Sequence, residues 1–239
     1  MTAEAIRALL PATCRIGREI IVLEETTSTN DEAIRLGREG AVVFAEHQTA
    51  GRGRMTRRWE SPTGLGLYFS VLLRPAHPQQ LTTWAAVAVT RALGGHIKWP
   101  NDIFLNGKKV VGILCETTGN NTVVGIGVNV NQTPADFPPE LHDRATSLRE
   151  AGGGSPLDRI AVAATILRQL DALYPFDFPS IVAEAESRSL LMGHPITVHA
   201  PTEIYPAVAE ALEPDGSLRV RCADGSTRRL TGGEVSIRL

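Results

Sequence analysis

The sequence predicts an α+β fold in which a larger domain of helices and strands precedes a small all-β domain. Up to residue 191, apolar runs of strand length alternate with stretches of helical periodicity. From Gly193 the pattern changes to short alternating segments such as "PITVH" and "LRVRC", separated by the turn sequences "EPDGS", "ADGS" and "TGG". A chain of 239 residues accommodates two domains. We therefore expect domains at residues 1–191 and 192–239, the second a small β-barrel.

The elements of the first domain can be assigned in order along the chain. One helix is expected to have Ser28 or Thr29 as its N-cap, because hydroxyl and amide residues there precede an apolar helical face. A loop rich in glycine and arginine then joins two strands. Other helices are predicted over residues 4–10, 81–93, 157–173 and 180–191. Strands are predicted over residues 19–25, 41–46, 66–73, 96–99, 102–105, 109–117 and 121–128, and irregular chain over 129–156.

Composition and charge exclude several classes of protein. The formal net charge of −2 lacks the basic excess that non-specific binding to duplex nucleic acid requires. Cys14, Cys115 and Cys222 are odd in number and widely spaced, which favours neither a disulfide framework nor a CxxC metal site. No apolar run approaches the length of a membrane span, and the first residues do not resemble a signal peptide. We expect a soluble, cytoplasmic protein that binds neither nucleic acid nor membrane.

The first candidate site is the loop "TAGRGRMTRRW" at residues 49–59. Gly51 and Gly53 let the backbone approach an anion closely, and the guanidinium groups of Arg52 and Arg54 can hold a phosphate or carboxylate bidentately. The loop does not match GxxxxGK[ST], and a strand follows it, so a P-loop is not supported. By itself, the same stretch also fits a solvated or weakly RNA-binding surface.

The second candidate is "KWPNDIFLNGKKVVGIL" at residues 98–114. Strand alternation sends Lys108 and Lys109 to opposite faces, as it does Lys98 and Trp99, so one lysine of each pair can point into a pocket. Ordinary exposed hairpin lysines are the alternative. Three glycines lie inside strand patterns: Gly112, Gly125 and Gly127. Glycine destabilises a strand, and the usual compensation is that a ligand or another backbone can approach closely.

The third candidate is "TTSTN" at residues 26–30, where polar side chains at a helix N-terminus either cap the helix or receive a polar ligand. None of the six histidines has metal-ligand spacing from another histidine or a cysteine pair. No GxSxG elbow is present. We therefore expect no protein-only metal site and no serine-hydrolase triad.

Taken in order, "STN", "AEHQTAGRGR…W", "KWPNDI…GKKVVGIL" and "GIGVNVN" resemble the motifs of the biotin protein ligase family, from about residue 24 to the C-terminus. The resemblance implies a catalytic domain with a mixed seven-stranded sheet of the biotin/lipoate-ligase type, and a C-terminal SH3-like barrel. It also implies an enzyme that forms biotinyl-5′-AMP from biotin and ATP, with Mg²⁺. Biotin would then pass to a lysine of a biotin carboxyl carrier protein.

The resemblance also implies roles for individual residues. Lys109 and Arg52 would be catalytic, approaching the biotin carboxylate and the α-phosphate. The biotin-binding residues would be Ser28, Thr29, Asn30, Gln48, Gly51, Arg52, Gly53, Arg54, Lys109 and Gly112. The ATP- or adenylate-binding residues would be Arg52, Gly53, Arg54, Trp59, Asn101, Lys109 and Asn129.

Two features depart from the family pattern. Many members continue the loop as GRGRxGR, whereas Thr56 stands here where a glycine is common, so loop closure is expected to be slower or differently shaped. Bifunctional members carry an N-terminal DNA-binding domain, but only 27 residues precede Ser28, which favours a ligase without repressor function. The alternatives are a lipoate or octanoate ligase of the same fold, or a biotin-responsive regulator. A homodimer is left open.

Overall fold

The computed structural model describes residues 1–200 and 202–237 and contains two β-sheets. The strands of the first sheet are β1 (Ile20–Thr26), β2 (Val42–Gln48), β3 (Gly66–Leu73), β4 (His96–Lys98), β5 (Asp102–Leu105), β6 (Lys108–Thr118) and β7 (Asn121–Asn129). Those of the second are β8 (Pro195–His199), β9 (Ile204–Leu212), β10 (Leu218–Cys222), β11 (Thr227–Leu230) and β12 (Glu234–Ile237). The α-helices are α1 (Ala3–Arg7), α2 (Thr29–Leu36), α3 (Leu81–Leu93), α4 (Leu148–Ala151), α5 (Arg159–Ala172) and α6 (Phe178–Ser187).

The first sheet is mixed and has the strand order β1-β2-β3-β7-β6-β5-β4. Only the β1–β2 pair is parallel, with Ile20 opposite Val42, and the other neighbours pair antiparallel. Antiparallel neighbours need only short turns, as at Asn106-Gly107 between β5 and β6. This arrangement confirms the predicted α+β class and the seven-stranded mixed sheet.

The alternation of side chains along the strands divides the first sheet into two faces. Val42 and Phe44 pack into the main core with Trp84 of α3. Val43 points the other way and packs with Ala33 of α2 in a smaller cluster. Helices α1, α3, α5 and α6 contribute to the main core, whereas α2 lies over β2, β3 and β7. The face that carries α2 is therefore only partly covered, and the cavity described below lies on it.

The last helix differs from its predicted bounds of 180–191. It begins at Phe178, because the Asp177 side chain accepts the Ser180 N–H and Pro179 is tolerated in the first turn. It ends at Ser187, where the chain turns to pair with β4: Ile97 N–H donates to the Arg188 carbonyl at 2.9 Å. No helix within the described ranges is both long and apolar enough to cross a membrane.

The C-terminal sheet is antiparallel, with the order β11-β10-β9-β8-β12. Among the described residues, no pairing joins its edge strands β11 and β12, so the expected small β domain is present as a sheet that does not close into a complete barrel. Its core also includes Trp99 of the first domain, whose indole N–H donates to the Gly216 carbonyl at 3.1 Å. The boundary between residues 191 and 192 stays a prediction. The strand expected over 234–239 is described only as far as Ile237.

Candidate active site

A cavity of about 670 Å³ opens on the face of the first sheet that carries α2. Period-two alternation brings the strand glycines to this face, because Val124 and Ile126 on either side of Gly125 point into the main core. The residues that the sequence assigned to ligand binding meet at this cavity although they come from distant parts of the chain. Those that line it are Ser28, Thr29, Asn30, Gln48, Arg52, Gly53, Arg54, Trp59, Asn101, Lys109, Gly112 and Asn129. Gly51 lines a second cavity with Leu114 and Glu116.

A buried polar cluster lies where α2 begins. Ser28 is the N-cap residue, as expected, but its side chain makes no capping hydrogen bond; the side-chain oxygen Oε1 of Gln48 instead accepts the Thr29 N–H at 2.9 Å. The Thr29 hydroxyl donates to the same oxygen at 3.1 Å. Ser70 of β3 contacts both Thr29 Oγ1 and Asn30 Oδ1, at 2.7 and 2.6 Å. All five side chains are less than a tenth exposed, so their hydrogen-bonding groups are held in defined positions.

The strand glycines are needed because side chains lie directly against the sheet. A Cβ atom at Gly112 or Gly127 would lie 2.6 or 2.4 Å from the indole of Trp59. At Gly125 it would lie 2.4 Å from Asn30 Oδ1. The groups that approach these glycines are thus side chains of the protein, rather than the ligand or second backbone suggested by the pattern.

The loop at residues 51–59 folds back on itself as a tight excursion between β2 and β3. Gly53 N–H donates to the Arg57 carbonyl at 2.6 Å, and Trp59 N–H donates to the Gly51 carbonyl at 3.0 Å. A Cβ atom at Gly51 would lie 2.6 Å from the Trp59 carbonyl oxygen, so only glycine fits there. Thr56 has a φ of +62°, which lies in the left-handed region. This conformation is unfavourable for a β-branched residue.

Four arginines of the loop line the cavity, and two of them, Arg52 and Arg54, differ in their partners. Arg52 makes two hydrogen bonds with Asp31, at 2.9 and 2.6 Å, and one with Glu116 at 3.1 Å. Asp31, and to a smaller extent Glu116, raise the pKa of Arg52 above its ordinary value. Arg54 instead donates to Asn101 Oδ1 at 3.2 Å, and burial lowers its pKa. Arg54 therefore has more unsatisfied positive charge to offer an anion than Arg52 has.

Lys109 points into the cavity, and Lys108 points away from it. Lys109 Nζ lies 2.7 Å from Asp102 Oδ1 and 5.4 Å from the centroid of the Trp59 ring. Lys108 Nζ donates to the His142 carbonyl outside the cavity at 2.7 Å. Of the other pair, Lys98 lines the cavity, and its burial lowers its pKa. Lys109 and Lys98 therefore both face the cavity, and Trp99, which was expected on the face opposite Lys98, lines it as well.

The chain is similar to known proteins of one family. Family models described as "Biotin/lipoate A/B protein ligase family" and "Biotin protein ligase C terminal domain" match residues 20–132 and 191–238. The biotin–[acetyl-CoA-carboxylase] ligase of Mycobacterium tuberculosis is 32% identical over 243 residues, which cover 91% of this chain and 88% of that protein. The chain belongs to the biotin protein ligase family.

Other members of the family are also similar to this chain. The bifunctional ligase/repressor BirA of Bacillus subtilis is 44% identical over 178 residues, which cover 66% of this chain and 54% of that protein. The chain thus matches about half the length of that relative. The structure of the Aquifex aeolicus biotin protein ligase in complex with biotin and ATP has a TM-score of 0.78 and 32% identity, covering 92% of this chain and 99% of that one.

In this member of the biotin protein ligase family, the C-terminal sheet also contributes to the cavity, which the sequence did not predict. Residues 233–237, which include β12, line one side of it. Arg57, left unassigned by the sequence, forms an ion pair with Glu234 of that strand. Arg58, equally unassigned, lies near Glu60 with 3.4 Å between Nε and Oε1. The Gly/Arg loop is therefore connected to both sheets of the ligase.

Sequence reasoning also missed several polar side chains that line the cavity of this ligase or contact residues that line it. Ser70 carried a signal, because it is a polar residue inside the otherwise apolar strand "GLYFSVLL". Asp102 carried one too, because it directly follows Asn101 in "KWPND". Glu116 and Gln132 had no such signal, since only the folded chain brings them to the site. Within the described residues, no three histidine, cysteine, aspartate or glutamate side chains form a cluster that could hold a metal ion.

Proposed function

We propose that this protein activates biotin with ATP to form biotinyl-5′-AMP and then transfers biotin to a lysine of a biotin carboxyl carrier protein. Membership of the biotin protein ligase family supports this proposal. A second support is a solved structure of the family, similar over 92% of this chain, that contains biotin and ATP. The observation that carries most weight is local: residues from four separate motifs line one cavity.

In the first step a biotin carboxylate oxygen attacks the α-phosphorus of ATP, and the bond from that phosphorus to the pyrophosphate oxygen breaks. Two anions must meet, so fixed positive groups should lower the barrier, and loss of one such group typically costs about 10²–10³ in rate. We assign this task to Lys109 and Arg54. Asp102 holds the Lys109 ammonium in place at 2.7 Å. Arg52 is a further positive group, and Asp31 and Glu116 hold its guanidinium.

The polar cluster suits the uncharged bicyclic ring of biotin. An amide-like ligand group needs hydroxyl and amide partners, because an unpaired buried polar group costs about 1–3 kcal/mol. We therefore assign ring recognition to Ser28, Thr29, Asn30 and Gln48, with Gly112 keeping space for the Trp59 indole beside them. Gly51 and Gly53 shape the loop. Nucleotide binding is assigned to Trp59, Asn101 and Asn129 with the loop arginines.

Mg²⁺ is proposed to arrive with the triphosphate. The cavity offers oxygen donors of the type that Mg²⁺ prefers, on Asp102, Asn129 and Gln132, and the Gln132 Oε1 atom is buried and has no hydrogen-bond partner among the described residues. These residues fit an ion held mainly by phosphate oxygens and water. When bound, the ion would neutralise phosphate charge and assist the departure of pyrophosphate.

In the second step the uncharged ε-amine of a carrier lysine attacks the acyl carbon of biotinyl-5′-AMP. The bond from that carbon to the phosphate oxygen breaks, AMP leaves as the anion, and the attacking nitrogen releases one proton to water. The mixed anhydride is labile, so the cavity must exclude water until the acceptor arrives. The loop connecting the two sheets through Arg57 and Glu234 is suited to cover it.

The test is incubation of the purified protein with ATP, Mg²⁺ and biotin, first with labelled pyrophosphate and then with a biotin-carboxyl-carrier domain. We expect biotin-dependent exchange of pyrophosphate into ATP, and a mass increase of one biotin on one carrier lysine. Exchange that depends on lipoate instead would make the protein a lipoate ligase. Salt-resistant binding to a specific DNA operator would add a regulatory function.

A further inference from the structure

Glu116 makes hydrogen bonds to both the polar cluster at the start of α2 and the Gly/Arg loop. It lies on β6, opposite Val123 of β7, with about a third of its side chain exposed. Its Oε2 atom accepts a hydrogen bond from Asn30 Nδ2 at 2.5 Å and another from Arg52 Nη2 at 3.1 Å. One carboxylate oxygen therefore joins the polar cluster to the Gly/Arg loop.

Glu116 determines which end of the Asn30 side-chain amide faces it. An ionised carboxylate only accepts hydrogen bonds, so the group that faces it must be the NH₂ end of the amide. The Asn30 Oδ1 atom then lies at the other end, 2.6 Å from the Ser70 hydroxyl. Asn30 is buried, and Gly125 leaves it no spare space. Without Glu116, the amide would lose the partner that distinguishes its nitrogen from its oxygen.

Arg52 depends on Glu116 in a different way. Asp31 holds two of its nitrogen atoms, and Glu116 adds a contact from the neighbouring strand. Asp31 belongs to α2, whereas Glu116 belongs to the sheet, so only the second contact fixes the guanidinium relative to the floor of the cavity.

We propose that Glu116 is a positioning residue that fixes the Asn30 amide for biotin binding and the Arg52 guanidinium for adenylate formation. The proposal rests on the proposed function and adds to it a residue that touches neither reacting atom. Its two contacts need different properties of the side chain. Asn30 needs an acceptor oxygen, which glutamine also provides, whereas Arg52 needs the negative charge, which glutamine lacks.

Two substitutions separate these contributions. Glu116→Ala removes both contacts, so biotin should bind about ten- to a hundredfold more weakly, as expected for the loss of a charge-assisted hydrogen bond. Glu116→Gln should keep biotin affinity within about threefold of the wild type, because Asn30 retains an acceptor. Its kcat for pyrophosphate exchange should nevertheless fall about tenfold, because Arg52 is less well positioned. Glu32→Gln is the matched control: it removes a carboxylate from α2 that holds Arg35.

The experiment measures biotin affinity by calorimetry, KM and kcat by pyrophosphate exchange, and folding by thermal denaturation. The KM for biotin should rise in Glu116→Ala only, and kcat should fall in both Glu116 variants. Glu32→Gln should keep the wild-type values of both. Wild-type affinity in Glu116→Ala, wild-type kcat in Glu116→Gln, or equal loss of affinity in both variants would overturn the positioning proposal. Absence of biotin-dependent exchange in the wild type would instead overturn the proposed function, and the positioning proposal with it.

Discussion

Gly125 of β7 lies against the side chain of Asn30, and replacing it with alanine should disturb that residue directly. The added Cβ would lie 2.4 Å from Asn30 Oδ1, 3.1 Å from its Cγ and 3.2 Å from its Nδ2. Ordinary contacts between such atoms lie near 3.5 Å, so the amide must move by about 1 Å. Asn30 cannot move freely, because Ser70 and Glu116 hold its two ends.

The size of the effect follows from those two hydrogen bonds. A neutral hydrogen bond contributes about 0.5–1.5 kcal/mol and one to a charged group about 1.5–3 kcal/mol, so their loss should destabilise the fold by about 2–4 kcal/mol. For a chain of this length, that lowers Tm by about 4–16 °C. Biotin would also have to bind without a correctly placed Asn30, which should weaken its affinity about 5- to 100-fold.

Calorimetric titration with biotin and thermal denaturation of Gly125→Ala would measure both effects. Gly232→Ala is the matched control, because a Cβ there meets no atom within 4 Å among the described residues. Its affinity and Tm should equal those of the wild type. If Gly125→Ala bound biotin with wild-type affinity, Asn30 would not contact the ligand, and the assignment of the polar cluster would be refuted.

Four further substitutions test other parts of the molecule. Lys109→Ala should fold normally but form biotinyl-5′-AMP about a hundredfold more slowly in pyrophosphate exchange, because the fixed positive charge held by Asp102 is lost. Arg54→Gly should release biotinyl-5′-AMP faster in a filter-binding assay, since a half-buried guanidinium no longer holds the adenylate. Thr56→Gly should raise Tm by about 1–4 °C, because it removes left-handed strain of about 1–2 kcal/mol at the cost of some chain entropy. Arg159→Met should destabilise the fold by about 3–5 kcal/mol at neutral pH, because it leaves Glu46 buried without its main partner.

The Arg159 prediction has a definite pH dependence. Burial alone would raise the pKa of Glu46, but hydrogen bonds from Arg159 and the N-terminal ammonium lower it below its ordinary value of 4.5. The pair thus stabilises the fold above that value, and the contribution is lost as pH falls through the lowered pKa. The difference in stability between wild type and Arg159→Met should therefore shrink in acid below about pH 4.5. A difference that stays constant would contradict the assignment.

Each of the other three predictions has either a matched control variant or a result that would contradict it. Lys108→Ala should keep wild-type exchange, because its ammonium contacts the His142 carbonyl outside the cavity. Full activity of Lys109→Ala would remove that residue from the chemistry. An unchanged release rate in Arg54→Gly would leave Arg54 with a structural contact to Asn101 only. Thr56→Ala should give no gain in Tm, since alanine is also disfavoured at positive φ.

Segments with strong local signals were predicted with their observed bounds. The strand Gly66–Leu73 and the helix Leu81–Leu93 are examples, because their bounds depend on apolar pattern and on breakers within the same segment. The last helix was predicted with the wrong bounds for a nonlocal reason. Residues 188–190 leave the helix to pair with Ile97, some ninety positions earlier in the chain. Pattern alone contains no information about such a partner.

The sequence by itself determined the α+β class, the four motifs and the residue types that the chemistry requires, since these depend on local spacing and side-chain chemistry. The tertiary structure decided which of the charged side chains are paired with another side chain of the protein. It pairs Arg52 with Asp31 and Glu116, lays Trp59 across Gly112 and Gly127, and brings the last strand to the cavity. These are contacts between segments distant in sequence, and they depend on how strands pair and how the two sheets pack.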